Sequence, residues 1–285
     1  MPSAVSIDGS PITRNLQRTA AIQRYQGDTN VKKQVSAVLA IALALAALPA
    51  LAEIRPAPYI VVHYDTIDPA QTKEWNEVQK EWAEAFRKAK AGKDHQWRAY
   101  QSNFTYAWVS DMPNFSYLDD GEARDKAAND LVGEGVMERL QAGSNPAILE
   151  HYTEIWKFEP DLSYWQESLD PSKMNAIRVR VDTIRPGKGE TFEKLVKDVV
   201  AAMKKINAEV NFFAYSIPFG KCSYAFVSWG ANEAALHSGP STRELLSKAL
   251  GEEESQAMFS SWLTHVTSTE SSDWSIRKDL AYVSD

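Results

Sequence analysis

The second half of this 285-residue chain repeats the first, block by block and in the same order. Tyr64-Asp65-Thr66-Ile67 returns as Val181-Asp182-Thr183-Ile184, and each block is followed one residue later by a proline, Pro69 or Pro186. The two aspartates are 117 residues apart. Further on, Tyr106-Ala107-Trp108-Val109-Ser110 returns as Tyr224-Ala225-Phe226-Val227-Ser228 and Gly133-Glu134 as Gly251-Glu252. Trp156 returns as Trp274, and Asp161-Leu162-Ser163-Tyr164 as Asp279-Leu280-Ala281-Tyr282, all at a spacing of 118 residues. One spacing held over so much of the chain marks a folding unit written twice, so the fold must be one that two copies of a unit can build.

Within each copy the elements read in the same order. A strand-like run, 59–64 or 177–181, leads through the repeated proline into a helix. On that helix Trp75, Val78, Gln79, Trp82, Ala85, Phe86 and Ala89 share one face, as do Phe192, Leu195, Val196, Val199, Ala202, Met203 and Ile206 in the second copy. This is the i, i+3, i+4, i+7 spacing of an amphipathic helix. Two strands joined as a hairpin follow, 95–101 with 105–110 and 210–217 with 223–229. A more irregular helical region, 120–149 or 233–266, precedes a last strand at 152–158 or 273–277. The order is βαββαβ, twice, which is the split βαβ of ferredoxin-like units: a four-stranded antiparallel sheet with helices on one face. The expected fold is α+β, with repeats at 53–170 and 171–285 packed sheet to sheet as a fused, pseudo-twofold α+β barrel.

On these blocks and this element order the sequence resembles the dimeric α+β barrel superfamily, over residues 59–283. That superfamily includes antibiotic-biosynthesis monooxygenase-like, haem-degrading and chlorite-dismutase-like proteins. The resemblance implies that a monooxygenase-like or haem-binding enzyme is one functional reading. Several of these relatives hold haem through a helix histidine, which here leaves His237 or His265, with His237 as the haem-ligand candidate. The haem-degrading relatives add a first-strand Asn and a third-strand Trp; Trp108 matches the Trp, whereas neither first strand carries an Asn. No cofactor is therefore expected from the residues themselves.

Ahead of the repeats, Lys32-Lys33 precede an alanine-rich apolar run, 35–51, ending in Ala50-Leu51-Ala52. That is the pattern of a signal peptide, 31–52, cleaved after Ala52, and it places the mature chain in the periplasm or outside the cell. Residues 1–30 are polar and aperiodic and read as a disordered leader or mistranslated upstream sequence. The formal charge of −7 falls to about −10 once residues 1–52 are removed, which disfavours nucleic acid as a partner. Cys222 is the only cysteine, so an exported chain relies on its core, to which nine Trp and ten Phe contribute. After cleavage no stable membrane insertion is expected; a homo-oligomer is compatible with the sequence.

Period-two alternation puts His63 and Asp65 on one face of the first strand, and Arg178, Arg180 and Asp182 on the corresponding face of its repeat. If the helix-covered face is apolar, this polar face turns away from the helices, toward the other sheet. There it either binds an anionic small molecule or performs acid–base work, or its Arg and Asp simply pair across the seam. Aromatic residues of the strands, among them Tyr100, Trp108 and Tyr215, either line a pocket or fill a core. The candidate ligand-binding residues are thus His63, Asp65, Tyr100, Trp108, Arg178, Arg180, Asp182 and Tyr215. His63 and Asp65 at i, i+2 are too few for a metal site. Hydrolase, nucleotide-binding and zincin motifs are missing from the sequence. The primary expectation is an exported soluble protein that binds a small molecule or serves a structural role; catalysis is left open.

Overall fold

The computed structural model describes residues 56–166 and 170–284; residues 1–52, read above as a leader and a signal peptide with its cleavage site, lie outside them. The first half comprises β1 (Tyr59–Ile67), α1 (Thr72–Ala89), β2 (Arg98–Ser102), β3 (Thr105–Met112), α2 (Ser116–Asp119), α3 (Gly121–Val132), α4 (Glu134–Ser144) and β4 (Ile148–Phe158). The second comprises β5 (Ala176–Ile184), α5 (Gly189–Lys205), β6 (Phe213–Ile217), β7 (Ser223–Gly230), α6 (Glu233–Ser238), α7 (Thr242–Leu250), α8 (Glu252–His265) and β8 (Val266–Ile276). Among the described residues no helix is long and apolar enough to cross a membrane.

The repeated blocks mark the places where the backbone does something specific. Register shifts fall between Thr66 and Ile67 where β1 pairs β4, and between Thr183 and Ile184 where β5 pairs β8. Gly133 and Gly251 separate α3 from α4 and α7 from α8 with φ of 99° and 94°, a conformation that strains any residue with a Cβ. The pairing registers match as well: Tyr59↔Met112 in the first half corresponds to Ala176↔Gly230 in the second.

All eight strands join in one closed antiparallel barrel, in the order β1-β3-β2-β8-β5-β7-β6-β4 and back to β1. The two four-stranded sheets are not simply laid face to face. They are sewn together at their edges by short bridges, Tyr100↔Ile276 and Gln101↔Ser275 on one side, Lys157↔Ser216 and Phe158↔Tyr215 on the other.

Closure corrects the expected orientation of the first strands. Ile60, Val62 and Tyr64, with Ile177, Val179 and Val181, point into the barrel and form one core with Trp156, Phe213, Tyr215, Val227 and Trp274. His63, Asp65, Arg178, Arg180 and Asp182 lie on the outer, helix-bearing face. The helix-covered face is as dry as the lumen, with Tyr106, Phe192 and Asp182 fully buried there, but it accommodates polar side chains by pairing them, Asp182 with Arg180 and Thr269 and Asp65 with Trp108 and His151.

Each half also lends its tail to the other. Leu162 packs with Phe192, Val196, Ala214 and Tyr224, and Tyr164 bridges Phe212. Reciprocally, Leu280 packs with Trp75, Ala99 and Tyr106, and Tyr282 bridges Trp97. The repeated Asp-Leu-x-Tyr block is therefore a clasp. Leu162→Ala and Leu280→Ala, at positions almost wholly buried, are each expected to cost about 3 kcal/mol. Because the two leucines sit in separate clusters, the costs should add in the double variant, measured by urea unfolding.

Candidate functional site

On the outer face of the first half, strand pairing brings distant residues into one group. His63 lies opposite Trp108 on β3 and Thr153 on β4, and Asp65 lies opposite His151 on β4. The Asp65 carboxylate is nearly buried and accepts from two sides. Trp108 Nε1–H donates to Oδ2 at 2.7 Å, and His151 Nδ1 lies 2.7 Å from Oδ1. His63 Nδ1 is 2.6 Å from the Thr153 hydroxyl, and the two imidazoles stack with centroids 5.9 Å apart. Burial lowers the pKa of His63, helped by the neighbouring His151 and opposed by Asp65. His151 is the more accessible ring, its side chain 56% exposed. A histidine held at one nitrogen by a buried carboxylate and open at the other is suited to accept or deliver a proton.

Beneath this group lies a hydrogen-bonding deficit. Trp75 on α1 packs against Tyr106 and Trp108, and its Nε1–H is buried without a partner. The Asn76 side chain donates to the Thr72 carbonyl and to Tyr106 Oη, yet its Oδ1 is likewise buried and unpartnered. Trp262 Nε1, on α8 of the second half, shares this condition.

At the equivalent place in the second half stand Arg180, Asp182, Phe226 and Thr269. Asp182 is fully buried, bound by Arg180 through Nε (3.1 Å) and Nη2 (2.9 Å) and by the Thr269 hydroxyl (2.6 Å). The Arg180 guanidinium lies over the Trp262 ring at 4.6 Å. This is an ion pair within one strand, not a pair across a seam, and it occupies both oxygens of the carboxylate. Arg178 instead grips Asp273 on β8, Nε to Oδ1 at 2.8 Å and Nη2 to Oδ2 at 3.0 Å. Arg178 holds the Asp273 carboxyl below its usual range against the opposing effect of burial, with His237 assisting.

The eight candidates therefore fall into separate places. His63, Asp65 and Trp108 meet; Arg180 and Asp182 form their own pair; Arg178 sits with Asp273 and His237. Tyr100 and Tyr215 are inside the barrel, where burial raises the pKa of both hydroxyls. The other aromatic residues of the strands and their flanks divide by face. Trp156, Phe213 and Trp274 fill the lumen core, whereas Trp97, Tyr106, Tyr224 and Phe226 pack under helices or tails.

His237 does not fit the role of a haem ligand. Both ring nitrogens lie within 2.9 Å of Arg178 Nη2, and Nε2 is also 2.8 Å from Asp273 Oδ2. A haem iron would have to displace this network. His265, the other helix histidine, is buried at the end of α8 with Nδ1 2.6 Å from the Ser261 carbonyl. Among the described residues no set of three or more His, Cys, Asp or Glu is placed to hold a metal ion.

His151 and Thr153 were not singled out in the sequence, although a usable signal exists. Asn145-Pro146 closes the helical region in a 3-10 turn, so that β4 begins at Ile148 rather than near residue 152. Alternation from Trp156 then puts His151 and Thr153 on the face opposite the core.

No protein-family model matches the sequence, and no curated protein matches it. Several solved structures match it at low identity, each with a TM-score below 0.5. An anthrone oxidase-like protein matches with a TM-score of 0.49 and 10% identity over 76% of this chain and 90% of that one. A mutant chlorite dismutase from Candidatus Nitrospira defluvii matches with 0.44 and 6% over 80% and 94%. An encapsulated DyP-type peroxidase from Mycobacterium smegmatis matches with 0.43 and 10% over 80% and 94%. The likeness is one of α+β barrel architecture.

His63 gives a pH signature. Held below its ordinary pKa of 6.5, it stays neutral in the fold while the unfolded chain already takes up a proton. The stability it contributes is present above about pH 6.5 and is lost as pH falls from there through the lower value that the ring has in the fold. Denaturant unfolding at pH 7.5 and 5.5 should show a loss on acidification that shrinks in His63→Gln.

Proposed function

We propose that the protein is an enzyme acting on a small molecule by proton transfer at His151, with Asp65 orienting that ring and His63 beside it, built on a fused pair of ferredoxin-like units. The observation that carries this reading is the difference between the two halves at the same place in the fold. Asp182 is saturated by Arg180 and Thr269, as a structural carboxylate is. Asp65 instead spends one oxygen on a half-exposed histidine. One copy then keeps the scaffold while the other carries chemistry. Of the two activities that the family resemblance implies, a monooxygenase-like one suits this group, since removal of a proton from a weakly acidic substrate is what the Asp65–His151 pair offers.

A test uses a panel of weakly acidic aromatic and 1,3-dicarbonyl compounds, followed by oxygen uptake and by exchange of the acidic hydrogen for deuterium. His151→Asn should lower the rate on any responding compound by about 10²–10⁴-fold with an unchanged melting temperature. Full activity in that variant would end the catalytic reading. A compound that raises the melting temperature without turnover would instead favour a binding protein.

We also propose export to the periplasm or beyond, on the strength of Lys32-Lys33, the apolar run and Ala50-Leu51-Ala52. N-terminal sequencing of the protein from its native compartment should begin at Glu53; residues 1–30 found attached would overturn this.

A further inference from the structure

Strand β8 has one finished side and one open side. It pairs with β5 along its length, from Ala176↔Ser275 to Ile184↔Val266. On the other side it meets β2 only at Tyr100↔Ile276 and Gln101↔Ser275. The Ile276 N–H donates to the Asn175 carbonyl and the Arg277 N–H to the Ala99 carbonyl, which fixes the phase of the alternating antiparallel ladder. Even-numbered residues of β8 turn their backbone groups to β5, and odd-numbered ones turn theirs to the open side. The N–H and C=O of Thr269, Ser271 and Asp273 therefore face no strand among the described residues.

The edge is guarded by two carboxylates alone, Glu270 and Asp273. Between residues 268 and 273 there is no proline and no lysine, and residues 267–271 are exposed on both faces of the strand. Beside it a polar cleft of about 590 Å³, lined in part by Gln101, Ser102, Asn103, Ser271 and Asp273, leaves room for another backbone.

The side chains say what fits. An antiparallel copy of β8 laid against itself about a twofold axis at Ser271 sets Ser271 against Ser271, Glu270 against Ser272 and Thr269 against Asp273. Every carboxylate meets a hydroxyl and no like charges are opposed. An axis at Glu270 would set two carboxylates together. β4 has the corresponding open side, but it carries Glu150 and Glu154 and adjoins His151. We propose that β8 is a self-association edge: the β8 of a second copy adds to it antiparallel about Ser271, joining two barrels into a homodimer.

Ser271→Pro deletes the N–H at the axis without touching a bond to β5, and proline is tolerated at such edge positions. In sedimentation velocity the wild-type chain should be a dimer, Ser271→Pro a monomer with an unchanged melting temperature, and Leu149→Pro on the β4 edge still a dimer. A second measurement does not depend on the proline variant folding. With the native thiol removed by Cys222→Ser, Ser271→Cys should form a disulfide-linked dimer under oxidation. The proposal is overturned if the wild-type chain stays monomeric at the highest concentration reached, if Leu149→Pro rather than Ser271→Pro abolishes the dimer, or if Ser271→Cys gives no cross-link.

Discussion

Closure of the barrel rests on very little main chain. Two residue pairs on each side join the sheets, and such short ladders would open readily if nothing else held the edges. What holds them is burial on both sides of each bridge. Inside, Tyr215, Trp156 and Phe158 pack around one bridge and Tyr100 with Ile276 stands at the other. Outside, the Asp-Leu-x-Tyr tails cross from one half to the other and pin the flanking helices. With Ile60, Val62, Tyr64, Ile177, Val179 and Val181 turned into the lumen, alternation carries the polar residues of β1 and β5 to the outer face, and the candidate site is built there.

The α+β class and the element order were legible in the sequence, because the matched blocks give each signal twice: a glycine or a bulge that occurs twice at one spacing is hard to mistake. Facing was misread. Alternation separated His63 and Asp65 from Val62 and Tyr64 correctly, but alternation alone does not say which set is inward. That depends on whether two sheets close on each other, a long-range property. Strand limits also suffered. The free halves of β4 and β8 pair on one side only and are rich in exposed polar residues, so their local pattern resembles the end of a helical region. His151 was lost through that ambiguity, and with it the partner that gives Asp65 its meaning.

Comparison of the halves separates scaffold from specialisation without any other sequence. Trp75 stands where the second half has Phe192, and Trp262 stands where the first half has Ser144, which receives bonds from Gln79 and Trp82. Bulk moved from one wall of the helix–sheet layer to the other. His63 against Arg180 and His151 against Thr269 changed in the same layer, while the lumen kept Trp156 and Trp274. The lumen face changed as well: Arg98 and Asp111 stand where the second half has Phe213 and Trp229, and Tyr64 stands where it has Val181.

The crossed tails carry a consequence for how such a barrel can exist at all. A single half would leave Leu162 or Leu280 without a socket and would have to find another half in solution, an encounter whose yield falls with dilution. Tethering the two in one polypeptide turns that encounter into an internal one, at an effective concentration in the millimolar range for a short linker. The barrel then stays assembled at any protein concentration, and its two walls are free to evolve apart, since each always meets the same, different neighbour.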